Sequence, residues 1–285
     1  MFLTIEDGLK IYYEDYGDSN ALTLLFIHGW GVSSSLWSEQ VSFFVNKGYR
    51  VITFDSRGHG RSDNGDAIKN KPLSEFLISD IQKLVSHLNI KKPYGLIGHS
   101  AGGAVAISLY FKNPQDILFI CLINSSYTLY ERIDEKVFWH LFPEMIKLGL
   151  NPIIKESYKH ILKRAIPFIA NVLDKPKSKV EMWVNDIINV RIDTLFEELK
   201  HLKKHDIRNR LSKIQVPCLI IAGEYDLLTP PIKSKTLHKL IPNSELHIIS
   251  HVGHLSIIEK SDEVNRIILD FIKKIENKEF QTNEK

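Results

Sequence analysis

A serine hydroxyl becomes a nucleophile at neutral pH only when a base takes its proton and a third group orients that base. Ser100 is the residue here whose surroundings suit that role. It lies in Gly98-His99-Ser100-Ala101-Gly102-Gly103, a G-x-S-x-G stretch. At average Gly and Ser usage such a quintet arises by chance in roughly one chain in ten of this length, so its context carries the argument. An apolar run, Tyr94-Gly95-Leu96-Ile97, precedes it and an Ala- and Leu-rich run of helical length follows. A strand turning sharply into a helix at the serine is the setting of a nucleophile elbow. The turn asks for positive φ at Ser100 and for small residues two places away on each side.

Two histidines compete for the base, His251 and His254, both in a Gly-containing loop after a strand. His254 immediately precedes an apolar helix and is the better candidate. Asp226, just after another strand, is the candidate acid, although Asp-Leu-Leu-Thr-Pro-Pro also reads as a turn with Asp226 as its former. A tetrahedral intermediate needs backbone donors for its oxyanion. The N–H of Ala101, after the serine, is one. The N–H of Trp30, in His28-Gly29-Trp30-Gly31, is the second. His28, Gly29 and His99 beside the serine, with Trp139 and Phe142 farther on, are expected to touch substrate.

The segments around these groups alternate between strand and helix patterns. Phe2–Ile5 and Lys10–Tyr16 read as an edge hairpin around Asp7-Gly8. Strands are expected at Leu22–Ile27, Arg50–Phe54, Tyr94–Ile97, Ile117–Ile123, Val216–Ala222 and Glu245–Ile249. Helices are expected near 36–47, 73–89, 104–110, 232–240 and 255–275, with a frayed polar tail from Glu276. Strand and helix in turn predict an α/β fold, a mostly parallel sheet of the eight-stranded type with helices on both faces. His28, Asp55, Ser100, Asp226 and His254 all follow strands, so they fall on the carboxyl edge, where such sheets bind ligands.

The rhythm breaks between Tyr127 and Arg210. No strand is evident there, only helical stripes over 137–146, 153–169 and 180–202, punctuated by Pro143, Pro152, Pro167 and Pro176. The expected division is a core of residues 1–126 and 211–285 with an all-helical cap at 127–210.

Composition excludes several classes. The chain has 285 residues, 44% hydrophobic and 25% charged, with a formal net charge of +3. That charge is too mild for a nucleic-acid binder, and no basic stripe interleaved with aromatics occurs. Cys121 and Cys218 lie in apolar runs and read as buried thiols rather than a disulfide or metal site. No leader-like start or membrane-length apolar run is evident, so a cytoplasmic protein without stable membrane insertion is expected. The partners expected are a small-molecule ester and, at most, a second copy of the chain in a homodimer.

Five pieces occur in order: HGWG at 28–31, DSRGHGRS at 55–62, GHSAGG at 98–103, GEYD at 223–226 and HVGH at 251–254. Through them the chain resembles the α/β-hydrolase superfamily with a helical cap, over nearly its whole length. The resemblance implies a serine hydrolase without cofactor or metal, with Ser100, Asp226 and His254 in the family's chain order. Some members carry the acid after the strand ending near Ile123, where this chain has Asn124-Ser125-Ser126, which points again to Asp226. HGWG followed by Trp37 is similar to the carboxylesterases that cleave pimeloyl methyl ester. DSRGHGRS and His254-Leu255-Ser256 with Glu259 are similar to the enol-lactone hydrolases. Ser100 stands where an aspartate would mark an epoxide hydrolase or dehalogenase. Carbon–carbon bond hydrolases usually carry Asn before the serine and Trp after the histidine; His99 and Leu255 depart from that.

Three other groupings weigh less. His201 and His205 have metal-pair spacing but sit in a charged surface pattern. Asp55 and Arg57 read as braces of their turn. Lys175, Lys177 and Lys179 read as a solvated loop rather than a dock for an acidic carrier protein.

Overall fold

The apolar runs do become strands. The computed structural model describes residues 1–5, 8–63, 73–129, 152–190, 192–203 and 206–283. The strands are β1 (Phe2–Thr4), β2 (Lys10–Tyr16), β3 (Thr23–Ile27), β4 (Arg50–Phe54), β5 (Tyr94–His99), β6 (Ile117–Ile123), β7 (Cys218–Gly223) and β8 (Ser244–Ile249). They form one sheet in the order β1-β2-β4-β3-β5-β6-β7-β8. β2 pairs antiparallel with both β1 and β4, and every other pairing is parallel.

The α-helices among the described residues are α1 (Ser38–Asn46), α2 (Leu73–His87), α3 (Ala101–Lys112), α4 (Pro152–Leu173), α5 (Lys177–Asn189), α6 (Ile192–Leu202), α7 (Pro231–Leu240), α8 (Ser256–Glu259) and α9 (Ser261–Asn283). Successive strand residues serve opposite cores, as period 2 requires. Leu25, Ile27 and Leu96 pack with Leu84, Val105 and Leu109, whereas Leu24, Phe26 and Ile97 pack with Trp37, Phe44 and Ile272. The sheet is therefore covered on both faces, and its central strands read as continuous apolar runs.

Strand order reverses at β3, which lies between β4 and β5. That is the topological switch point where α/β sheets bind ligands. Register levels the strand ends: Ile27 pairs with Gly98, His99 with Ile123, Ile123 with Ile221 and Gly223 with Ile249. The loops after β3, β5, β6, β7 and β8 leave from one edge.

Some sequence expectations need correction. The stripe over 180–202 is two helices, because Val190 is extended (ψ 137°) and its N–H closes α5 on the Asp186 carbonyl. The helix expected over 255–275 divides into α8 and α9 at Lys260. α9 then runs to Asn283 instead of fraying at Glu276, which accepts from the Tyr49 hydroxyl at 3.3 Å. Pro167 lies inside α4 without ending it. Between β6 and β7 the helices α4, α5 and α6 are joined by one isolated bridge, Thr128 to Asp206. Among the described residues no helix is long and apolar enough to cross a membrane.

Candidate active site

The elbow is built by steric necessity. Ser100 has φ 52° and ψ −121°, a conformation that a residue with a Cβ adopts only when its surroundings force it. Its N–H donates to the Ile123 carbonyl at 2.9 Å, and its carbonyl accepts from the Ser125 hydroxyl at 2.7 Å. A Cβ on Gly98 would sit 2.5 Å from the Gly102 carbonyl, and one on Gly102 would strike the Ile27 carbonyl. The strand and helix approach that closely, which is why both positions are glycine. Ser100 directly precedes α3, whose first N–H groups have no acceptor within the helix.

Three residues distant in sequence meet in one hydrogen-bonded line. Ser100 Oγ lies 3.0 Å from His254 Nε2, and His254 Nδ1 lies 2.8 Å from Asp226 Oδ2. The aspartate is held from both sides. Its Oδ1 accepts the N–H groups of Leu228 and Thr229, each at 2.9 Å, so Asp226 forms its turn as well as facing the histidine. Its Oδ2 also accepts from Asn124 Nδ2 at 2.8 Å and lies 2.6 Å from the Thr229 hydroxyl. Burial acts to raise the Asp226 carboxyl, but the bonds from His254 and Thr229 outweigh it and hold the group below the usual carboxylate range. Asn124, noticed in the sequence only for not being acidic, thus supports the acid that is.

The histidine loop is fixed by Glu259, whose carboxylate accepts from Gly253 N–H at 2.9 Å and Leu255 N–H at 3.0 Å. His99 adds a third hold: its Nε2–H donates to the His254 carbonyl at 2.8 Å. Burial, then neighbouring His254, lowers the His99 imidazole to about 3, so it stays neutral. His251, the rival base, faces away and pairs with the Tyr225 hydroxyl at 2.9 Å.

Gly29 packs against the elbow; a Cβ there would lie 3.1 Å from Ser100 Cβ and from His99 Nδ1. Gly29, Trp30 and Ala101 line one side of a cavity of about 60 Å³, together with His28, Ser56, His59, Leu77, Gly102, Ala104, Val105, Ser108, Glu198 and Leu202. His28 is fully engaged with backbone, donating from Nδ1 to the Gly29 carbonyl at 2.8 Å and accepting the Ser56 N–H at Nε2 at 2.9 Å. It presents ring surface to the cavity and holds the loop that carries Trp30. Trp139 and Phe142 lie outside the described residues, as do His205 and the His201 side chain.

Around this centre, Asp55 accepts from Ser34 N–H at 2.8 Å and Arg61 N–H at 2.8 Å, and Arg57 makes a two-pronged buried pair with Asp80 at 2.5 and 2.7 Å. Both residues are braces of their turn. Lys179 reaches Glu39 at 2.7 Å and Lys175 reaches Ser261 at 3.1 Å, so these two lysines tie helices to the core instead of lying in solvent. Asp186 of α5 accepts from the Ser33 hydroxyl at 2.5 Å and from the Ser35 hydroxyl, while Trp183 Nε1 donates to the Ser35 carbonyl at 3.2 Å. Trp30 Nε1 donates to the Leu195 carbonyl at 3.2 Å. Among the described residues no group of three or more His, Cys, Asp or Glu is placed to hold a metal ion. Cys121 and Cys218 are buried free thiols, and burial pushes the Cys218 thiol up to about 12.

The chain is 26% identical to a bifunctional esterase/perhydrolase of Acinetobacter calcoaceticus, over 95% of this chain and 99% of that one. It is 29% identical to a 2-hydroxy-6-oxononadienedioate/2-hydroxy-6-oxononatrienedioate hydrolase of Klebsiella pneumoniae, over 95% and 94%. A solved esterase from Exiguobacterium antarcticum superposes with a TM-score of 0.79 at 22% identity, covering 95% of this chain and 98% of that one. Residues 23–261 match the alpha/beta hydrolase fold family, and with the sheet order, the elbow and the loops at one edge already in place, the chain belongs to that family.

Proposed function

We propose that the protein is a serine hydrolase that cleaves small to medium carboxylic esters through an acyl-enzyme. The observation that carries this reading is the line Ser100–His254–Asp226, with contacts of 3.0 and 2.8 Å. In it, His254 Nε2 takes the proton from Ser100 Oγ as the oxygen attacks the ester carbonyl. Asp226 keeps the His254 Nδ1 proton in place and stabilises the imidazolium that forms. The N–H groups of Trp30 and Ala101 receive the oxyanion. His254 then returns the proton to the departing alcohol, and water repeats the sequence to release the acid.

The same groups serve a lactone or a thioester, and the DSRGHGRS and Glu259 features support a lactone as the second reading. Glu259 clamps the histidine loop through the Gly253 and Leu255 N–H groups. The relatives also include carbon–carbon bond hydrolases. A screen with p-nitrophenyl esters of increasing acyl length, a lactone, a thioester and a 2-hydroxy-6-oxodienoate separates these classes. Ser100→Ala is expected to lose activity on the order of 10³-fold or more while folding normally. Failure of intact Ser100 to react with a fluorophosphonate would point to a ligand receptor on a hydrolase fold.

A further inference from the structure

Glu198 is a buried group that the reaction above does not use. It lies on α6, four residues from Thr194 and four from Leu202, on the helix face turned into the protein. The residue is 3% exposed and lines the cavity beside Trp30 and Ala101, and its carboxyl lies 3.5 Å from His59 Nε2. A carboxylate is costly in such a place without a cation beside it. Among the described residues that line the cavity none is Lys or Arg.

The proton at this contact can be placed from geometry. His59 Nδ1 faces the Arg57 carbonyl at 3.1 Å, so it carries the ring proton. His59 Nε2 accepts the Gly31 N–H at 3.2 Å, so it presents a lone pair. His59 therefore has no N–H to give the carboxyl, and with no Lys or Arg lining the cavity the cost of a buried charge there is not offset. Burial agrees on both sides, lowering His59 to about 3 and raising Glu198 well above its ordinary value. Glu198 therefore stands in the cavity as a neutral acid, with an O–H to donate and a C=O to accept. The other polar groups facing it are His28, Ser56 and Ser108.

We propose that Glu198 is a specificity-determining residue, recognising a neutral oxygen function, a hydroxyl or keto group, carried by the substrate close to its reacting carbonyl. The inference rests on the ester-hydrolase reading for the position of that carbonyl, beside Trp30 and Ala101. The cavity of about 60 Å³ is large enough to admit a short polar substituent beside the acyl chain. A site that hydrogen-bonds an oxygen discriminates against the analogue lacking it, because its own polar group is then left unmatched. With a neutral acid and two neutral imidazoles on its walls, the same cavity disfavours a carboxylate substituent.

The test compares p-nitrophenyl 3-hydroxybutyrate with p-nitrophenyl butyrate, each kcat/KM divided by the spontaneous hydrolysis rate. The wild type is expected to favour the hydroxy ester about five- to tenfold, the size of one net hydrogen bond. Glu198→Leu is expected to bring the ratio near one, and Glu198→Gln, a neutral donor and acceptor of the same shape, to keep it. A Glu198→Leu ratio equal to wild type, or a wild-type ratio near one, overturns the proposal. Loss of the ratio in Glu198→Gln as well shows recognition by a charged carboxylate and overturns it too. Absence of Ser100-dependent turnover of both esters, with no fluorophosphonate labelling, is instead the failure of the ester-hydrolase reading. The inference is then decided by 13C NMR of the Glu198 carboxyl, assigned by its loss in Glu198→Gln. A signal at the shift of a protonated carboxyl that holds still between pH 6 and 8 and moves on adding 3-hydroxybutyramide but not butyramide supports it; a signal at the carboxylate shift, one that titrates, or one that ignores both amides, sinks it.

Discussion

Acidification should destabilise the fold through its buried imidazoles, and His99 allows one of them to be isolated. In the folded chain burial, then His254, lowers His99 to about 3, while an unfolded histidine titrates near 6.5. Between those values the unfolded state holds more protons than the folded one, so stability rises with pH and is lost as pH falls below about 6.5. Integrating the linkage from pH 7.5 to pH 5 gives a loss of about 2 kcal/mol for this one residue. His59, also lowered to about 3, acts in the same direction, and Glu198, raised by burial, acts in the opposite one. A comparison of wild type with His99→Gln cancels both. Glutamine retains an N–H for the His254 carbonyl, now held by His99 at 2.8 Å, but has no proton to gain. The stability advantage of wild type over His99→Gln is therefore expected to shrink by about 2 kcal/mol between pH 7.5 and pH 5. Urea unfolding followed by circular dichroism reads this as a change of roughly 0.7 M in the difference between midpoints, at a slope of ~3 kcal/mol/M. A difference that stays constant within about 0.5 kcal/mol across that range would show that His99 is protonated in place, and the neutral-imidazole argument would fail.

Three further outcomes are expected. Asp226→Asn should lower kcat on the order of 10³-fold or more with KM little changed, because the His254 proton is then held at the wrong nitrogen; a rate near wild type in a steady-state assay would send the search to another carboxylate, Asp206 first. Asp186→Ala removes the acceptor of the Ser33 and Ser35 hydroxyls and should cost about 1–3 kcal/mol by thermal or urea unfolding, with a raised KM as α5 loosens; an unchanged KM and midpoint would mean that the contact does not hold the helix. Short to medium acyl chains, roughly four to eight carbons, should be the best p-nitrophenyl substrates at ~0.8 kcal/mol per buried methylene against a finite pocket, and no jump in rate should appear on emulsified long-chain triglycerides.

The sheet was legible because period and punctuation agree in it. Arg50–Phe54 and Ile117–Ile123 read as strands from apolar runs alone and are strands with those bounds. The elbow was legible for a steric reason: glycines flank Ser100 wherever the backbone of Ile27 or Gly102 approaches. Contacts across the chain were not legible. Asn124 bonds to Asp226 from a different loop, and no local spacing announces that meeting. Glu198 left a weak signal, an acid on the stripe of Thr194 and Leu202, but an acid near a stripe is usually at its solvated border. The roles of Lys175 and Lys179 were misread because their partners, Ser261 and Glu39, lie far away in sequence. The helix breaks at Val190 and Lys260 fall inside stripes that keep their apolar period, so periodicity could not mark them.

The bridge between Thr128 and Asp206, with the Ile207 N–H donating to the Tyr127 carbonyl at 3.2 Å, brings the chain back to where it left the sheet. Everything between those residues is thus an excursion with a closed stem. Lengthening or recutting it adds only a slowly growing closure entropy and leaves the pairing of β6 with β7 in register. Ser100, Asp226 and His254 all lie outside the excursion, while Glu198, which faces the cavity, lies inside it. Under the proposed reading, recutting the excursion would change what the cavity recognises while the contacts of Ser100, His254 and Asp226 with one another stay in the core.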